Sequence, residues 1–217
     1  MKTMEIEAII FDFGGVILDI DPHLTMKEFE KLGARKLDEE QTCDFIDTLV
    51  SKFERGILTP EVFRKQVKEY LKFDASDAEF DDAWNALLFD IPAERIHIIE
   101  EAKKHYRIFL LSNSNEIHYD LYVRDLQLRF GYREFDDLFE KSYFSFDTHL
   151  KKPNPEAFEF IINQHELDPA KTLFIDDRED NINAAAGIGL HTYLLNKPER
   201  IRDIFENGVL KTNVKTG

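Results

Sequence analysis

Four polar groups in this chain stand where an apolar run stops or a helix begins. Asp12 follows Ala8-Ile9-Ile10-Phe11, Ser112-Asn113 closes the run from Arg107 to Leu111, Asp176-Asp177 closes Leu173 to Ile175, and Lys152 precedes the helix that begins at Pro155. Each has an ordinary reading alone: a solvated Asp after a buried strand, a strand-end hydroxyl, a loop lysine. A carboxylate at such a point can also serve as a metal ligand, a nucleophile, or both. Two glycines, Gly14 and Gly15, come just after Asp12. They let backbone N–H groups approach a bound anion closely. Together the four groups form a phosphoryl-transfer set. Asp12 supplies an oxygen nucleophile, Ser112 and Asn113 donate to phosphate oxygens, and Lys152 offsets charge. Asp177, with Asp12, would hold a hard divalent cation such as Mg²⁺. Asp176 and Asp177 repel unless a cation lies near them, and extended backbone points neighbours opposite ways, so one of the two is expected as a direct ligand.

Parallel strands must position these groups. From Pro92 onward helices and strands alternate: a helix over 93–104, a strand over 107–111, and a helix after Asn115. A helix over 155–164, a strand over 173–175, a helix over 181–186 and a strand over 192–195 follow. That alternation predicts βαβ units, a parallel sheet and right-handed crossovers, with the chemistry beyond the carboxyl ends of the strands. Residues from about Asp21 to Leu88 read as helices only. Asp21-Pro22, Thr59-Pro60 and Ser76-Asp77 are the helix starts. Phe45, Ile46, Leu49, Val50 and Phe53 recur at helical spacing, as do Val62, Phe63, Val67, Tyr70 and Leu71. Phe80, Trp84, Leu87 and Leu88 add a further apolar stripe. The expected fold is α/β, a Rossmann-like three-layer core with a parallel sheet and an inserted α-helical cap. Residues 1–18 and 92–217 form the discontinuous core and residues 19–91 the insertion. The tail after Asn207 is expected to fray.

Composition narrows the partners. The chain has 217 residues, with 28 Lys and Arg against 43 Asp and Glu, a net charge of −15. A pI near 4.9 and a mean hydropathy of −0.40 argue against a nucleic-acid surface or an anionic membrane surface. No apolar run approaches the roughly 20 residues of a membrane span. Met1 to Glu7 carries acids where a secretory leader has a positive and then an apolar stretch, and Cys43 is the single cysteine. A cytoplasmic location is expected. Asp12-Phe13-Gly14 spells a kinase metal-binding triplet, but no Gly-rich loop, strand lysine or His-Arg-Asp segment precedes it. His97 and Glu101 lie one helical turn apart without a His-Glu-x-x-His pattern and read as a surface pair.

These residues resemble the haloacid-dehalogenase-like (HAD) hydrolase superfamily. Phe11-Asp12-Phe13-Gly14-Gly15-Val16 resembles its first motif, Leu111-Ser112-Asn113 the second and Lys152-Pro153 the third. Phe174-Ile175-Asp176-Asp177 through Asn181 resembles the fourth. All four occur in family order over nearly the whole chain. The helical block is similar to the family's small α-helical cap, and 12–21 with 111–115 is similar to the branch holding bacterial glucose-1-phosphate phosphatases. The resemblance implies a Mg²⁺-dependent phosphatase acting on a small phosphorylated metabolite, such as a sugar phosphate. Asp12 would be the phosphoryl-accepting nucleophile. Asp12, Asp177 and the Gly14 carbonyl would be metal ligands, and Ser112 and Lys152 would hold the transferring phosphate. Asp176 would sit beside the metal, and Asn181 replaces a common family acid. Specificity in such enzymes comes from the cap face, where Phe53-Glu54-Arg55-Gly56 is either a specificity loop or a glycine-terminated helix end. One departure matters: family phosphatases carry a second Asp, the general acid and base, where this chain has Gly14. That keeps two alternatives open, a non-catalytic phospholigand-binding protein and a metal-free 2-haloacid dehalogenase. It also raises the question whether Gly14 sits at φ > 0, where an Asp would be strained.

Overall fold

The computed structural model describes residues 5–211. Its centre is β1 (Ala8–Phe11), four apolar residues buried on both faces, as a strand inside a parallel sheet requires. The chain then enters the helical block. This comprises α1 (Pro22–Lys31), α2 (Glu39–Phe45), a π-helical turn (Ile46–Val50), α3 (Ser51–Glu54), α4 (Pro60–Leu71) and α5 (Asp77–Asn85). Beyond it come α6 (Ala93–Ala102), β2 (Arg107–Ser112), α7 (Glu116–Asp125), a second π-helical turn (Leu126–Phe130), α8 (Phe135–Leu138), β3 (Lys141–Phe144) and α9 (Ser145–Thr148). The chain continues through α10 (Pro155–Gln164), a short 3₁₀ turn (Pro169–Lys171), β4 (Thr172–Asp176), α11 (Glu179–Gly187) and β5 (His191–Leu194). It closes with α12 (Ile201–Ile204), β6 (Phe205–Glu206) and β7 (Val209–Leu210).

The sheet order is β3-β2-β1-β4-β5, every pair parallel. Alternation along the strands divides the core into two layers. Ile9, Phe11, Ile108, Leu110, Leu173 and Ile175 face α6 and α12. Ala8, Ile10, Phe109, Leu111 and Phe174 face Phe158, Ile161 and Ala185 of α10 and α11. β1 therefore has β2 on one side and β4 on the other. The chain reverses its direction of build across the sheet here, and a crevice opens at the carboxyl ends.

The helical block centres on an apolar cluster including Phe29, Phe45, Leu49, Phe53, Phe63, Phe80 and Trp84, which Ile117 of α7 joins. The three expected caps are present: Asp21 accepts from His23 N–H, Thr59 from Val62 N–H, and Ser76 forms a reciprocal box with Glu79. Phe45, Leu49 and Phe53 are four residues apart and all buried. In a regular α-helix that spacing drifts by about 40° per step. The π-helical turn over 46–50 unwinds the helix and keeps all three on one face. The block leaves the sheet and returns to it side by side. Asp21 N–H donates to Leu87 O and Phe89 N–H to Asp19 O.

Three expectations need correction. β3 was not anticipated; it is an edge strand carrying Lys141 and Ser142, so it lacks the apolar run that marks the central strands. The tail does not fray at Asn207, because Asn207 and Gly208, both at positive φ, turn a small hairpin that buries Phe205. An Asn-Gly pair is the strongest local hairpin signal and would have revealed it. The last part of that tail, 212–217, and residues 1–4 of the N-terminal reading lie outside the described residues. His97 faces Glu100 at 3.5 Å, while Glu101 pairs with Lys104.

Candidate active site

Asp12 is the first residue past β1, and its N–H makes one more ladder bond, to Ile175 O at 2.9 Å. Register alone then sets it level with Asp176, the last residue of β4, and with Leu111, one residue before Ser112 at the end of β2. Lys152 reaches in from the loop after α9. Its ammonium, nearly sealed from solvent, donates to Asp12 Oδ1 at 2.6 Å and to Asp176 Oδ2 at 2.9 Å. Asp176 is fully buried and further held by Asn181 Nδ2 at 2.9 Å and Arg178 N–H at 2.8 Å. No protein group among the described residues takes the Ser112 hydroxyl, which leaves it free for a ligand.

One carboxylate oxygen from each of Asp12, Asp176 and Asp177 lies within 4.8 Å of the others. Two carboxylates at that distance repel by about 3 kcal/mol at an effective dielectric of about 20. Burial raises the Asp12 carboxyl, Asp176 raises it further, and Lys152 only partly compensates, leaving it at about 7. Burial and Asp176 raise Asp177 as well. Burial would lower the Lys152 ammonium, yet the two carboxylates beside it hold it above its ordinary value. Three acids around one ammonium leave surplus negative charge in a buried pocket, and oxygen ligands suit Mg²⁺. The donor set fits that ion. Asp176 already accepts from three donors, so Asp12 and Asp177 are the freer ligands.

The glycines divide the work differently from the expectation. Gly15, not Gly14, has positive φ, and a Cβ built on it would run into the Asp177 carboxylate. Its N–H is not available to an anion, because it donates to Leu18 O at 2.6 Å. Gly14 lies outside the left-handed region, and a Cβ there would come 3.3 Å from the Ile20 Cδ1 methyl.

Asn113 has a role beyond the expected donation to phosphate. Its Nδ2 donates to Lys152 O at 2.8 Å and its Oδ1 accepts from Lys152 N–H at 3.0 Å, and the second Nδ2 hydrogen stays available for a phosphate oxygen. Asn113 thus clamps the backbone of Lys152. Sequence reasoning missed this role and that of Asn181. Asn113 takes its partner from a loop 39 residues on, which no local pattern marks, whereas Asn181 reaches back only five residues to Asp176. Asp12, Ser112, Lys152 and Asp177 gather at the strand ends, with Gly14 at the turn beside them.

A family model described as haloacid dehalogenase-like hydrolase matches residues 6–189. The chain is 30% identical over 188 residues to a D-ribitol-5-phosphate phosphatase of Bacteroides thetaiotaomicron, covering 87% of this chain and 91% of that one. It superposes with a TM-score of 0.83 on a HAD-family enzyme of the same organism solved with magnesium and inorganic phosphate. The two are 32% identical, with 93% of this chain and 100% of that one covered. An L-2-haloacid dehalogenase of Xanthobacter autotrophicus is similar in fold alone, with a TM-score of 0.59, 17% identity, and 88% of this chain and 77% of that one covered.

Proposed function

The chain belongs to the haloacid dehalogenase-like hydrolase family, and from that premise we propose that it is a Mg²⁺-dependent phosphatase working through an aspartyl-phosphate on Asp12. The observation that carries this reading is the Asp12–Lys152–Asp176–Asp177 group, with its surplus of negative charge at the ends of β1 and β4. Such a group has little use in a metal-free dehalogenase. Bound Mg²⁺, held by Asp12, Asp177 and the Gly14 carbonyl, would neutralise the carboxylates and polarise the phosphate.

The chain's own residues do the rest. An Asp12 carboxylate oxygen attacks phosphorus, the bond to the leaving oxygen breaks, and water later releases phosphate from Asp12. Lys152 and the Ser112 hydroxyl hold the transferring phosphoryl oxygens. Asn113 fixes the Lys152 backbone, and Asn181 and Arg178 N–H fix Asp176. We read the helical block of 19–91 as a cap over the core of 1–18 and 92–217. Its apolar cluster and its paired entry and exit passes support that division.

The substrate is a small phosphorylated metabolite, and the sugar-alcohol phosphate named for one relative indicates a polyol or sugar phosphate. No helix among the described residues is long and apolar enough to cross a membrane. The exposed free Cys43 fits a reducing cytoplasm, and a charge of −15 fits a small-molecule substrate better than nucleic acid.

Turnover of p-nitrophenyl phosphate tests the proposal. EDTA should abolish it and Mg²⁺ restore it. Asp12→Asn should fold and lose nearly all activity; full activity in a folded Asp12→Asn protein would refute the covalent mechanism.

A further inference from the structure

Gly14 presents no side chain to move a proton, so hydrolysis of an aspartyl-phosphate needs another group. Water attacking phospho-Asp12 comes in line, from the side of phosphorus away from Asp12, and Phe13 to Leu18 of the β1 turn offer no titratable side chain to take its proton. On the helical block, α3 ends at Glu54 and packs against α9, at the start of the loop that carries Lys152. Three contacts seat it there. The Glu54 carboxylate pairs with Lys151 Nζ at 2.6 Å. The Arg55 carbonyl lies 2.8 Å from His149 Nδ1. Gly56, at positive φ, presses so closely on the Phe146 carbonyl that a Cβ there would collide with it.

Lys151 is the chain neighbour of Lys152, whose ammonium touches Asp12. Among the described residues, Glu54 is the carboxylate of the helical block whose ion pair reaches this loop. Its side chain remains partly open to solvent, and Asp19, another acid of that region, pairs instead with the buried Arg95 of α6.

We propose that Glu54 is the general base that activates water against phospho-Asp12. The ion pair with Lys151 holds the Glu54 carboxylate against the loop that carries Lys152. Water oxygen attacks phosphorus and gives one proton to the Glu54 carboxylate. The bond from phosphorus to the Asp12 oxygen breaks with its electron pair, which regenerates the Asp12 carboxylate and releases phosphate. Glu54 then returns its proton to solvent. This rests on the aspartyl-phosphate reading.

Rapid mixing of p-nitrophenyl phosphate with Mg²⁺-loaded Glu54→Gln tests it. The aryl leaving group needs no proton, so the first step should persist. The result expected is a burst of about one p-nitrophenol per site, an acid-stable phosphoenzyme, and a steady rate lower by roughly 10²–10⁴. Glu54→Ala gives a second measurement of the same quantity, with melting temperature reported for both. Lys151→Met breaks the ion pair but keeps the carboxylate, and should show no such accumulation. Absence of phosphoenzyme in both Glu54 variants overturns the proposal, as does equal accumulation in Lys151→Met, which would make the pair merely structural. An active Asp12→Asn protein would instead remove the underlying covalent reading.

Discussion

Gly14→Asp tests how much the missing carboxyl limits this enzyme. Gly14 does not occupy the left-handed region, so an Asp there avoids the strain of positive φ, and its Cβ meets only the Ile20 side chain, at 3.3 Å from Cδ1 and 3.7 Å from Cγ2. A flexible methyl can give by a few tenths of an ångström, at a cost of about 1 kcal/mol. For a chain of this size that lowers the melting temperature by roughly 2–4 °C. The new carboxylate joins a cluster already rich in acids, so the comparison belongs in saturating Mg²⁺.

A positioned general acid contributes about 10²–10⁴ in rate. The gain should appear only where the leaving oxygen needs a proton. We expect kcat/KM on an alkyl phosphate to rise by up to about 10²-fold, equivalent to about 2.7 kcal/mol of barrier. On p-nitrophenyl phosphate it should change by less than about threefold, because a phenolate of low pKa leaves unaided. Gly15→Asp is the matched control. There φ is +86° and the new side chain would collide with Asp177, so both stability and activity should fall. A stable Gly14→Asp protein with equal effects on alkyl and aryl substrates would refute the reasoning and place the proton source elsewhere.

Two other outcomes follow from the site's geometry. Asn113→Ala removes both bonds that clamp Lys152, and kcat should fall at least about tenfold with a melting temperature lower by several degrees; unchanged kcat would show that Lys152 positions itself. Mg²⁺ should raise the melting temperature more at pH 8 than at pH 5. The Asp12 carboxyl is raised from 3.8 to about 7, so without metal the folded protein loses stability as pH rises through that window, while below it a proton must leave before the ion binds. A Mg²⁺-induced shift independent of pH would contradict the crowding of Asp12 by burial and Asp176.

Much of the scaffold was legible because its signals are local. Ala-Ile-Ile-Phe ending in Asp12, and Leu-Phe-Ile ending in Asp176-Asp177, mark buried strands and their polar ends within a few residues. Asp21, Thr59 and Ser76 mark helix starts by the chemistry of a single cap. Pro155 to Gln164 forms a helix with the expected bounds. The Asn207-Gly208 turn is an equally local signal, whereas β3, an edge strand with polar residues, carries no such pattern.

Tertiary structure decided which strands flank β1, and that choice brings the carboxyl ends of β1, β2 and β4, with Asp12 level with Asp176 and one residue short of Ser112, to one crevice. It also set Asn113 to clamp the Lys152 backbone across 39 residues of chain. Glu54 met Lys151 across the fold in the same way. The physical reason is range. Periodicity and capping are settled between residues one to four apart. A carboxamide or carboxylate takes whichever donor the packed chain brings within about 3 Å, and that partner can lie a hundred residues away.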